Sequence, residues 1–141
     1  MAARKIGGNM TRHETREAAF KLIFAGELSK EESSEIIEAA QESESLELNA
    51  PAIELFRNVS EKSSELDEII AGYSKKRAVS RIPKASLAIL RLALYEIKYD
   101  DNVPTSVAIN EAVVIAKEYC DEADVSFING VLGSYSRAEA E

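Results

Sequence analysis

The 141 residues are 45% apolar and 30% charged, with no tryptophan and a net charge of −8. A chain of this length is most simply one domain with a substantial core. Its single histidine, His13, and single cysteine, Cys120, exclude an intramolecular disulfide, an HExxH helix and a multi-histidine metal site; a cytoplasmic protein without catalysis, metal or cofactor is expected.

Residues 1–9 carry Arg4, Lys5 and the pair Gly7-Gly8, without periodicity. They are expected to be a flexible basic arm or a start-site extension, too polar for a secretion signal. Thr11-Arg-His-Glu14 has the spacing of a capping box. The helix it opens should run to about Gly26, burying Ala19, Phe20, Ile23 and Phe24 and keeping Arg12, Arg16 and Lys21 wet. Cations in the first turn oppose the positive end of the helix dipole. Arg12 and His13 therefore suit an outside anion, although a solvated helix start fits the charge equally.

The charge then reverses: residues 1–24 hold five Lys/Arg against two Glu, and residues 25–50 hold one Lys against eight Glu. Ser29-Lys-Glu-Glu32 reads as a second capping box, opening a helix to about Glu44 with Ile36, Ile37 and Ala40 inward. Glu31, Glu32, Glu35, Glu38 and Glu42 form its outer, solvated face. Asn49-Ala-Pro51 begins the next helical region. Ala52, Phe56, Val59, Ser63, Leu66, Ile70 and Tyr73 predict one long helix, or two broken near residues 60–64.

Ser74 to Lys84 is basic, with Lys75, Lys76, Arg77, Arg81 and Lys84. It joins two helices, either as a solvated linker or as a phosphate-contact surface. Ser86 to Tyr99 is apolar nearly all round, through Leu87, Ile89, Leu90, Leu92, Ala93, Leu94 and Ile97, the pattern of a buried central helix. It is shorter than the roughly 20 apolar residues of a membrane span. Pro83 should sit just inside its start, and Asp100 to Pro104 should end it. Residues 104–119 predict a second mostly buried helix packed against it, with a narrow polar stripe of Asn110, Glu111, Lys117 and Glu118. After a loop at 120–124, Val125 to Tyr135 predicts a last helix with Phe127, Ile128, Val131, Leu132 and Tyr135 inward. Gly130 there predicts the close passage of another backbone, since glycine costs about 1 kcal/mol in a helix. The whole is an all-α, single-domain bundle of six or seven helices, with residues 138–141 as a tail.

Four stretches recur together: Arg16-Glu-Ala, then Ala88-Ile-Leu-Arg-Leu-Ala-Leu-Tyr-Glu96, then Val103-Pro-Thr-Ser-Val-Ala-Ile-Asn-Glu-Ala112 with Ala116-Lys117, then Phe127-Ile-Asn-Gly-Val-Leu132. In this order and at these separations the chain resembles the NusB family of transcription antitermination factors, over about residues 10–137. The resemblance implies an all-helical RNA-binding domain that pairs with the small-subunit ribosomal protein NusE. Together they would bind boxA RNA within the transcription elongation complex. Some relatives self-associate through the RNA face, so a homodimer is a further expectation. The related domain fused to ribosomal-RNA cytosine methyltransferases shares the signatures, but this chain ends where a methyltransferase would begin.

The same resemblance implies RNA contacts at Arg12, His13, Arg16, Lys21 and Phe127. Glu14 and Thr15 depart from the family's N-terminal arginine cluster, and Ser126 replaces a basic residue that often precedes the phenylalanine. Leu90, Leu94 and Val131 belong to the signatures as core. Phosphate contacts plus stacking on an exposed ring suit single-stranded RNA, and no recognition-helix pattern for duplex DNA is visible. From the residues alone Phe127 reads as core rather than as a ligand contact. A helical protein-interaction module with weak or no RNA binding is the alternative, because the arginine cluster is thin and the total charge acidic.

Overall fold

The computed structural model describes residues 10–75 and 77–140; the basic arm expected at residues 1–9 lies outside them. Among the described residues seven α-helices follow in order: α1 (Arg12–Ser29), α2 (Ser33–Glu42), α3 (Ala50–Glu61), α4 (Ser63–Tyr73), α5 (Lys84–Tyr99), α6 (Thr105–Tyr119) and α7 (Glu122–Ala140). A 3-10 turn, Val79–Arg81, precedes α5. No strand occurs among the described residues. The chain divides between Glu61 and Lys62 into two compact units.

In the first unit α1 packs on α2 and α3. Both arms of the Thr11 capping box are made. The Thr11 hydroxyl accepts from the Glu14 N–H at 3.0 Å, and the Thr11 N–H donates to Glu14 Oε1 at 2.9 Å. Thr11→Ala should remove about 1 kcal/mol of stability, measured as a lower denaturant midpoint at unchanged m-value. The second expected box does not form. Here α1 continues through Ser29, and Lys30 ends it in the left-handed region at φ 61°, donating its N–H to the Gly26 carbonyl. The Ser29 hydroxyl accepts from the Glu31 N–H at 3.3 Å instead, a local turn that competes with capping. Glu32 precedes α2 without a side-chain cap. Ile36 and Ile37 are buried, and the five glutamates of the outer face are exposed as expected.

Of the two forms expected after Asn49, the broken one occurs: the helix is interrupted at Lys62, within residues 60–64, giving α3 and α4. Buried Asn49 fixes the start of α3. Its Oδ1 accepts from the Ala52 N–H at 2.9 Å, and its Nδ2 donates to Thr15 Oγ1 of α1 at 2.9 Å.

In the second unit α5 packs against α4, α6 and α7. Residues 86–94 of α5 are all buried, as is Glu96. Ile97 is only half-buried, and Pro83 caps α5 from outside its first turn. Within the helix Arg91 is kept by a two-pronged ion pair to Asp67 of α4, with Nε to Oδ1 and Nη2 to Oδ2 both at 2.8 Å. Tyr73 and Tyr135 meet edge to face, their ring centroids 5.8 Å apart.

Two expectations fail in this unit. First, α6 is not mostly buried: Ala108, Ala112, Ile115 and Ala116 face inward, while Val107 and Val114 are 41% and 42% exposed. Its small alanines are the side that lets α5 and α7 approach, so the larger valines remain outside. Second, Gly130 is exposed, and a Cβ there would meet open space rather than a neighbouring backbone. The last helix is also longer than predicted, beginning at Glu122 and running through the expected tail to Ala140.

Candidate nucleic-acid interface

The expected RNA residues fall on two helices. Arg12, His13, Arg16 and Lys21 belong to α1 of the first unit, and Phe127 to α7 of the second. Arg12 is exposed, and His13 and Lys21 are half-buried. Arg16 departs from the wet face assigned to it, being only 7% exposed. Its position explains this: Arg16 lies four residues before Phe20 and seven before Ile23, in register with the buried stripe. An arginine can follow such a stripe because its methylene stem is apolar. The open cation of the first turn is therefore Arg12, beside a helix N-terminus already partly satisfied by the Thr11–Glu14 cap.

Phe127 is half-buried, neither sealed in the core nor free in solvent. The guanidinium of Arg77 lies over its ring, 4.6 Å from the centroid. Arg77 Nη1 also donates to Asp124 Oδ1 at 2.9 Å. Asp124 stands in the first turn of α7, where its own N–H donates to Asp121 Oδ1 at 2.9 Å. The backbone of Arg77 is anchored too: its N–H donates to the Ser74 carbonyl at 3.1 Å, and its carbonyl accepts from the buried Ser74 hydroxyl. The sequence marked Arg77 only as one cation of a basic segment. The sequence puts Asp124 in a loop, and nothing along the chain joins it to Arg77 across 47 positions.

A second aromatic cluster lies at the end of α5. Tyr95 and Tyr99 are 5.2 Å apart, Lys62 and Lys98 approach the Tyr99 ring, and the Tyr99 hydroxyl donates to Glu65. The Glu65 carboxyl is held below its ordinary range by that bond and then by Lys98, and the Tyr99 phenol is pushed up by the same bond. Burial pushes the Cys120 thiol up, opposed by its contact with the Ser86 hydroxyl. Among the described residues no three His, Cys, Asp or Glu side chains gather to hold a metal, and no helix is long and apolar enough to cross a membrane.

A sequence model of the NusB family matches residues 13–137. The chain belongs to the NusB family. It is 39% identical over 134 residues to the transcription antitermination protein NusB of Clostridium acetobutylicum, covering 94% of this chain and 99% of that one. The transcription antitermination protein NusB of Acetivibrio thermocellus is 43% identical over 126 residues, with 88% and 87% covered. Solved structures agree on the fold. T. maritima NusB superposes with a TM-score of 0.79 at 31% identity, over 91% of this chain and 92% of that one. A crystal structure of antitermination factors NusB and NusE in complex with dsRNA gives 0.76 at 23% identity, over 90% and 96%; that likeness is one of fold.

Membership ranks the four stretches singled out in the sequence. In this NusB-family chain Leu90, Leu94 and Val131 are buried, as core members of those stretches should be. Phe127, in the last of them, is a large ring left half in solvent.

Proposed function

We propose that this chain is an RNA-binding transcription antitermination factor that pairs with NusE and binds boxA RNA during ribosomal RNA transcription. It would act in the cytoplasm as an adaptor without catalytic chemistry. Its RNA-binding domain would span residues 10–137, with contacts from Arg12, His13, Arg16, Lys21 and Phe127. The observation that carries this reading is the NusB-family match over nearly the whole described chain. The chemistry supports it through exposed Arg12 for phosphate and the half-buried Phe127 ring for an unstacked base. The acidic balance outside residues 1–24 suits a basic protein partner, whose on-rate should fall with salt.

The test is boxA RNA binding by the full chain over a salt series, with and without NusE. Arg12→Ala should weaken binding to every RNA and flatten the log-log salt dependence by about 0.7. Arg12 serves better than Arg16, whose burial would mix RNA binding with folding. An unchanged affinity and slope for Arg12→Ala would remove it from the site. No RNA binding even with NusE present would favour the protein-interaction module.

A further inference from the structure

The basic segment at residues 74–84 has no role in the reading above, yet Arg77 within it is fixed in place. Its backbone is tied to Ser74 in both directions, its guanidinium is paired with Asp124, and the guanidinium carbon lies 4.6 Å from the Phe127 ring centroid. Asp124 and Phe127 are three residues apart on α7 and so share one helix face. The Arg77 side chain keeps 32% of its exposure while Asp124 keeps 13%, so the anchor is the more buried partner and the cation remains accessible. A guanidinium carries five N–H donors in a planar fork, and the Asp124 bond is shown using one. Such a group stacks on a ring and donates to phosphate at the same time.

We infer that Arg77 is an RNA-contacting residue, held over Phe127 by Asp124 so that ring and guanidinium act on the same nucleotide. The ring offers a stacking surface and the fork a phosphate contact. This rests on the reading that Phe127 meets RNA, and it extends the site into a segment that charge alone left undecided.

The experiment uses the full chain with NusE and a boxA oligoribonucleotide, titrated over a salt series, with thermal melts confirming folding of each variant. Arg77→Ala should weaken binding by roughly tenfold and flatten the salt dependence by about 0.7. Arg77→Lys should keep the slope but not the affinity, since an ammonium lacks the planar fork. Asp124→Asn separates the mechanisms by sign. Removing a negative charge would tighten RNA if only the general field mattered, whereas losing the anchor should weaken it several-fold. Phe127→Leu should lose affinity at unchanged slope.

An Arg77→Ala protein that binds like wild type overturns the inference, and so does tighter binding by Asp124→Asn. A silent Phe127→Leu beside a weakened Arg77→Ala refutes the shared nucleotide. If wild type binds no RNA, the functional reading falls and takes the inference with it. Wild-type binding and Phe127→Leu thus report on the reading, and the Arg77 and Asp124 variants on the extension.

Discussion

Leu90→Ala should cost about 2–5 kcal/mol of unfolding free energy, the range for deleting three buried carbons and leaving a cavity. Leu90 lies in α5 with no solvent exposure, and α4, α6 and α7 pack around that helix. The upper part of the range is expected, because its neighbours Ile89 and Leu94 are equally buried and a rigid wall collapses poorly into a void. Leu28→Ala is the matched control. Leu28 is 59% exposed at the end of α1, and such a surface truncation should stay within about 0.5 kcal/mol. Urea denaturation followed by circular dichroism measures both. Similar midpoints for the two variants would show that α5 is not the core of its unit.

Asp67→Ala should be the most damaging polar substitution, at about 2–3 kcal/mol. The pair it breaks is two-pronged, and the Arg91 side chain is only 11% exposed. Without Asp67 the guanidinium keeps its burial and loses a charged partner, the costly half of the asymmetry. Asp67 itself is 31% exposed, which holds the loss below the roughly 3–5 kcal/mol of a sealed pair. Arg91→Met should cost less, because it removes the buried charge itself instead of the two-pronged carboxylate facing it, and retains an apolar stem against α5's neighbours. The order of the two denaturation midpoints is the check; Asp67→Ala more stable than Arg91→Met would mean that the ion pair contributes little to holding Arg91 in place.

These two predictions differ in how far the sequence reached. The burial of Leu90 is legible from spacing, because a helix apolar on every side has no stable place except among other helices. The Arg91–Asp67 pair is not. Arg91 reads as an interruption of that helix, and its partner is 24 positions earlier on α4.

The candidate site divides in the same way. The four ordered stretches identified the family, and Leu90, Leu94 and Val131 in them are core as expected, while Val107 and Phe127 are not. Charge alone does not tell which α1 cation is open, since Arg12 and Arg16 are one turn apart; register does, because Arg16 stands in line with Phe20 and Ile23 and is buried while Arg12 is exposed. Thr15 read only as a missing arginine, but it accepts a hydrogen bond from Asn49 that ties α3 to α1.

What the sequence by itself determined was local or periodic. The Thr11 capping box needs four consecutive residues, the weakened apolar repeat at 60–64 marks where a break could fall, and α5 announces its burial in its own composition. Each depends on physics that acts within one turn or along one helix face. Tertiary structure decided the rest. Ala108, Ala112 and Ala116 turned α6 inward on its small side and left Val107 and Val114 outside. It also brought Arg77 over Phe127 and onto Asp124 from 47 positions away. Hydrophobicity specifies that a helix must be covered, but not by which face or neighbour. Those choices belong to close packing between elements, and so do the polar contacts that depend on them.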